Sequence, residues 1–260
     1  MFVYQGKTAL ITGASSGIGE AFARALAARG MHLVLVARSS DNLERMAGEL
    51  RQAYEVTVEP LSLDLTEPGS VERLVGMLGA KHHTVDLLIN NAGIGFHGQF
   101  ASLTPAQDQR EIVLNVNALV ALTHALLPDM LSRSSGAVIN VASTLAFQPT
   151  PYMAVYGATK AFVLSFTVAL AEEARERGIR VLALCPGPTG TAFYVSSGGD
   201  EVFARMRKRA PEQVVSSGLR ALERGHTVVI DGVSNRFLFG LTGALPPSAG
   251  ARILGRALHP

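Results

Sequence analysis

A single-domain, doubly wound α/β sandwich with a Rossmann-like parallel sheet of about seven strands and helices on both faces is predicted by three observations. Short β-branched, apolar runs recur along the 260 residues, longer segments with helical spacing separate them, and the first run leads into a glycine cluster that opens a helix. Strands that alternate with helices of ten or more residues make βαβ units, whose parallel sheet must be covered on both faces. A composition of 48% hydrophobic and 17% charged residues is that of a folded chain.

The predicted strands are 8–12, 32–36, 57–63, 85–90, 137–142, 180–184 and 227–230. The first helix begins at about Gly17 and stops at Gly30, which suits the left-handed turn after a helix end. Thr104-Pro105 is a cap followed by proline at the first helical position, and Pro211 opens another helix. Residues 186–200, rich in Gly, Pro, Thr and Ser directly after a strand, are expected to form a long irregular loop of the functional or mobile kind. No repeat, low-complexity tract or linker divides the chain.

A net charge of +2 is too weak a footprint for nucleic acid. The lone Cys185 excludes an internal disulfide, a zinc ribbon and a Cys-x-x-Cys pair, and it points to the cytoplasm. At the N-terminus there is no charged lead-in with an apolar stretch, and no uninterrupted apolar run reaches the ~18 residues of a membrane span. None of the seven histidines stands in a His-x-x-x-His pair, so no catalytic metal is expected.

The first strand ends in Thr12-Gly13-Ala14-Ser15-Ser16-Gly17-Ile18-Gly19. Glycines there let backbone approach a pyrophosphate, and the helix N-terminus offers free N–H groups and partial positive charge. The same residues fit the Gly-x-Ser-x-Gly elbow of hydrolases, with Ser15 as nucleophile, but that elbow follows several strands and here only one precedes it. The second strand closes on Arg38-Ser39 with no carboxylate, which favours NADP over NAD because an arginine grips a 2'-phosphate. A solvated strand-end charge is the other reading of Arg38. Asp64 either reaches an adenine amino group or caps the next turn.

Tyr156 and Lys160 stand at i and i+4 on a helical segment, so they share a face. A carbonyl reduced by hydride needs a proton on oxygen, and an ordinary tyrosine with pKa about 10 is poorly matched to neutral pH. A neighbouring ammonium is expected to lower that pKa. Ser143, at the end of a preceding strand, is placed to hold the same oxygen.

In joint order and spacing, Thr12 to Gly19, Asn90-Asn91-Ala92-Gly93, Ser143, Tyr156-Gly157-Ala158-Thr159-Lys160 and Pro186-Gly187 resemble the short-chain dehydrogenase/reductase family over residues 6 to about 232. The resemblance implies Tyr156 as general acid/base, Lys160 on the nicotinamide ribose, Ser143 polarising the carbonyl, and Asn115 holding a relay water. Asn117 is the competing candidate for that last role. It further implies that NADP is held by Gly13, Ser15, Ser16, Gly17, Ile18, Gly19, Arg38, Ser39, Asp64, Leu65, Asn91, Ala92, Gly93, Tyr156, Lys160, Pro186, Gly187, Thr189 and Thr191. The expected enzyme interconverts a small or medium apolar carbonyl and its secondary alcohol, as a homodimer or homotetramer. A nucleotide sensor that keeps the fold without chemistry is the rival reading.

One region is expected to select substrate, and another departs from the family pattern. A substrate lid is expected over 188–211, with Phe193, Tyr194, Phe203 and Met206, beside a basic cluster of Arg205, Arg207, Lys208 and Arg209 that either steers an anionic group or forms a solvated helix face. The tail 233–260 carries Phe237, Leu238, Phe239, Leu241, Ile253 and Leu254, which should cover the subunit's own cleft, a partner subunit or, least of all, a membrane.

Overall fold

The structure, a computed structural model, describes residues 2–204, 206–242 and 246–259, and the side chains of 196, 200 and 238–242 lie outside the description. The first half alternates β1 (Thr8–Thr12), α1 (Gly17–Ala27), β2 (His32–Ala37), α2 (Ser40–Ala53), β3 (Val58–Ser62), α3 (Ser70–Ala80) and β4 (Leu87–Asn90). The chain continues with α4 (Pro105–Ile112), a π-helical turn (Val113–Ala118), α5 (Leu119–Ser132), β5 (Ala137–Val141), α6 (Ala154–Arg175) and β6 (Arg180–Cys185). It ends with α7 (Phe193–Ser197), α8 (Asp200–Ala204), α9 (Pro211–Glu223), β7 (Val228–Ile230), α10 (Val233–Thr242) and α11 (Pro247–Ala257).

The seven strands form one parallel sheet in the order β3-β2-β1-β4-β5-β6-β7. Successive strand side chains point to opposite faces, and the two cores follow that period. Ile11, Leu33, Leu35 and Ile139 pack with Phe22, Leu26, Met46 and Leu219 on the α1, α2 and α9 side. Leu10, Val34, Leu88 and Val138 pack with Leu74, Leu122, Met130 and Leu170 on the α3, α5 and α6 side. Each fully buried side chain of this size contributes about 1.5–3 kcal/mol of transfer free energy. The chain reverses its winding between β1 and β4, and at such a switch point the carboxyl ends of the strands open a crevice for ligand.

By length and composition alone, Pro105–Ser132 and Ala154–Arg175 pass for membrane spans, which a search for uninterrupted apolar runs does not reveal. Both instead bury a face in the sandwich: Leu122 and Met130 of α5, and Val163, Leu170 and Ala174 of α6.

The expected irregular loop 186–200 is corrected in part. It carries α7 and leads into α8, because Phe203 is buried and Phe193 and Tyr194 are partly buried in one apolar cluster with Tyr156. The helix-face reading of the basic cluster is corrected too. Residues 206–209 follow α8 outside any helix, and Arg209 donates from Nε to the buried Asp231 at 2.6 Å. Arg205 lies outside the described residues, as do the side chains of Leu238, Phe239 and Leu241. Of the tail's other apolar residues, Phe237 and Ile253 are exposed and Leu254 is half-buried.

Candidate active site

At the end of β1, Gly13 and Gly17 take φ of +64° and +58°, a backbone region that disfavours side chains. A Cβ on Gly13 would stand 2.9 Å from Ala92 Cα, and one on Gly17 would stand 2.8 Å from Thr191 Cγ2. A Cβ on Gly19 would press into the Gly13 carbonyl oxygen and stand 2.7 Å from Asn91 Nδ2. The loop is therefore tight against β4 and the lid. Ser16 caps α1 without a side-chain hydrogen bond, so the first-turn N–H groups are left for a ligand oxygen. This cradle fits a dinucleotide pyrophosphate.

Thr12 and Asn91 lock the cradle to the neighbouring strand. Thr12 Oγ1 donates to Ile89 O and accepts from the backbone N–H groups of Asn91 and Ala92 at 3.0 Å. Asn91 Nδ2 donates to Thr12 O at 2.9 Å and Gly13 O at 3.2 Å. Thr12 was not among the expected site residues, although its place at a strand end before glycine marks it.

At the β2–β3 edge Arg38 is exposed and Ser39 is the N-cap of α2. Asp64 accepts from Thr66 N and Oγ1 at 2.9 and 2.7 Å, so it does cap the next turn. Those hydrogen bonds, with Arg38 and Arg110 nearby, hold its carboxyl below the ordinary range against the opposing effect of burial. Arg110 Nη2 lies 3.6 Å from Asp64 and adds a second cation to this edge, one that local spacing did not reveal. Leu65 points into the core instead. Thr189 donates from Oγ1 to Gly187 O and from its N–H to the Tyr194 hydroxyl, so both of its donors are engaged inside the lid. Pro186 O accepts from Thr144 N, and Gly187 lies against Asn235 of α10.

The four residues singled out for chemistry come together above β4 and β5. Ser143, two residues past β5, accepts from Leu145 N at 3.1 Å as the cap of a short turn, and its hydroxyl also bonds the Tyr156 oxygen. Capping and facing the tyrosine are thus compatible. Lys160 is buried, and its Nζ donates to Val141 O at 2.7 Å. Asn115 Nδ2 donates to Ile94 O and Thr159 Oγ1 at 2.8 and 3.1 Å, while its Oδ1 accepts from Ile94 N at 3.0 Å. Asn115 Oδ1 and Lys160 Nζ converge on Gly93, at 3.2 and 3.4 Å from where its Cβ would be. Asn117 is exposed, so the choice between the two asparagines falls to Asn115. The π turn at Val113–Ala118 presents that residue, as such turns often do at working sites.

One expectation fails. Lys160 Nζ lies 5.8 Å from the Tyr156 ring centre and spends a proton on Val141, and the tyrosine pKa is raised, not lowered. Burial is the main cause; Tyr194 and Glu111 add to it, and the Ser143 hydrogen bond opposes it. Burial also depresses Lys160 to about 8. Tyr156 is therefore a neutral phenol at pH 7, suited to give a proton. Cys185 is buried and pushed up to about 12, which makes it packing, not a nucleophile. Among the described residues no His, Cys, Asp and Glu cluster is arranged for a metal.

Glu111, one turn before Asn115, is a further buried ionisable group. It accepts from Phe96 N at 2.5 Å, and burial raises its pKa to about 7, with Phe96 opposing and Asp108 assisting. A carboxyl whose folded pKa exceeds its unfolded 4.5 adds stability that is complete below pH 4.5 and lost as pH rises through 7. Glu111→Gln keeps the acceptor for Phe96 and removes the titration. Across thermal melts from pH 5 to 8, the variant should gain on the parent by on the order of 2 kcal/mol. A pH-independent difference would exclude the effect.

A Rossmann-like sheet with a glycine cradle at its switch point, closing over a buried Ser-Tyr-Lys set, is the site of a dinucleotide-dependent oxidoreductase. Residues 7–201 match the short chain dehydrogenase family, and the chain belongs to it. It is 35% identical over 233 residues to an NADP-dependent 3-hydroxy acid dehydrogenase of Schizosaccharomyces pombe, covering 86% of this chain and 90% of the relative. The solved structure of a short-chain dehydrogenase from Sphingobium yanoikuyae in complex with NADPH is similar at a TM-score of 0.83 and 35% identity, over 92% of this chain and 96% of that one. One from Burkholderia phymatum in complex with NAD aligns at 0.85 and 27% identity, over 93% and 94%. The fold therefore accommodates either dinucleotide.

Proposed function

We propose that the protein is an NADP(H)-dependent oxidoreductase that interconverts a carbonyl and a secondary alcohol on a small or medium apolar substrate. The observation that carries this reading is the convergence of Ser143, Tyr156, Lys160 and Asn115 beside the glycine cradle. NADPH, when bound in the cradle, would supply the hydride for the carbonyl carbon. The Ser143 hydroxyl donates a hydrogen bond to the carbonyl oxygen and polarises it, and Tyr156 transfers its phenolic proton to that oxygen as the alcohol forms. Lys160 would hold the cofactor ribose, and Asn115 would hold a relay water. Oxidation of an alcohol needs the phenolate, which burial disfavours, so that direction should gain as pH rises.

Phe193, whose ring centre is 5.3 Å from that of Tyr156, and Phe203 support an apolar substrate under a lid over 188–211. Pairing of Thr189 with Arg209 ties the two ends of this lid, and the Arg209–Asp231 ion pair anchors the tie. Exposed Phe162 and Val168 on α6 support a homodimer or homotetramer. The unpaired Cys185 accords with a cytoplasmic setting.

NADP preference rests on Arg38. In side-by-side titrations, Arg38→Asp should weaken NADPH binding by about ten- to a hundredfold, the value of a lost charge-assisted contact plus a new repulsion, and should spare NADH. Equal loss for both dinucleotides would make Arg38 structural and remove the preference.

A further inference from the structure

The C-terminal segment returns to the site from the far end of the chain. Gly250 of α11 lies against Gln148, and a Cβ on Gly255 would stand 3.3 Å from Pro151, so α11 rides on the stretch that follows Ser143. Beyond α11, Leu258 is 1% exposed and joins Met153, Tyr156 and Phe203 in one apolar cluster. One residue, His97, ties this end to the lid. Its Nε2–H donates to Leu258 O at 2.8 Å, and its backbone N–H donates to Ser197 O at 2.8 Å. The His97 ring lies edge-on to Phe203 with centres 6.1 Å apart, and Tyr152, next to it, meets His259 at 5.2 Å.

We propose that the segment 250–259, latched by His97, is the outer wall of the substrate cleft and that Leu258 limits the length of the substrate's apolar arm. The inference rests on the reductase reading given above. The catalytic face of the cleft is Ser143 and Tyr156, and the lid supplies Phe193 and Phe203. Leu258 packs with Met153, Tyr156 and Phe203, and its backbone is held in place by hydrogen bonding to His97 as well as by packing. A latch bonded to both segments makes them open and close together.

The test is a series of methyl ketones of increasing chain length, from butanone upward, with NADPH. Leu258→Ala, and separately a chain ending at Ala257, should move the kcat/KM maximum to ketones about three carbons longer, each newly accommodated methylene adding about fourfold. Leu258→Trp should move it to shorter ones. An unchanged maximum in all three variants overturns the wall. A parent enzyme that reduces none of the ketones instead overturns the reductase reading, and the latch is then judged by amide hydrogen exchange. His97→Ala should speed exchange in both 193–204 and 250–259, with His97→Gln restoring protection. Loosening of neither segment, or of only one, overturns the inference.

Discussion

Tyr156→Phe is expected to lower kcat by on the order of a thousandfold while the NADPH dissociation constant stays within about twofold. The substitution removes one oxygen from a side chain that is 8% exposed, and the ring keeps its contact with Phe193 and its place on α6. Ser143 retains its bond from Leu145 N, so the carbonyl keeps one donor and loses its proton source. That asymmetry is the test. A comparable loss from Ser143→Ala, with Tyr156→Phe nearly silent, would move the proton donor elsewhere. The pH profile adds a second check: reduction by the parent should be flat near neutrality, because burial keeps the phenol protonated well beyond that range.

The second large effect is expected at Gly19. An alanine Cβ there meets the Gly13 carbonyl oxygen and stands 2.7 Å from Asn91 Nδ2, so either the cradle or the Asn91 tie to Thr12 must shift. NADPH binding should weaken by at least about a hundredfold, since the backbone donors of the α1 terminus lose their alignment. The control is Gly48→Ala. Gly48 lies within α2, where an added Cβ meets open space, and the exchange should stabilise the protein by about 0.5–1 kcal/mol without touching cofactor affinity. If Gly19→Ala binds NADPH like the parent, the pyrophosphate does not lie on this loop. Fluorescence titration beside a thermal melt separates a lost site from a lost fold.

The seven strands and the helices opened by Gly17, Pro105 and Pro211 were legible because each depends on spacing and end residues within one element. The Thr104 cap is an instance: its hydroxyl accepts from Gln107 N, and Gln107 answers by bonding Thr104 N, all within four residues. The i, i+4 relation of Tyr156 and Lys160 was legible for the same reason. Glu111 and His97 were not. A glutamate on an amphipathic helix and a histidine in a glycine-rich turn carry no local mark of what they face. Arg209 read as one charge in a basic run until Asp231, in a different element, claimed it.

Local sequence determined the strand and helix pattern, the bare glycine loop and the residue types offered to the site, because those follow from backbone preferences and the periods of 2.0 and 3.6. Tertiary structure alone decided which groups hold Asn115, where the Lys160 ammonium spends its proton, and that Leu258 near the end of the chain packs with Tyr156. Each of these depends on groups far apart in sequence: Val141 with Lys160, Ile94 with Asn115, His97 with Leu258. The sign of the Tyr156 shift belongs with them, since an ammonium one turn away acts locally, whereas the desolvation that overrides it is set by every element packed around the ring.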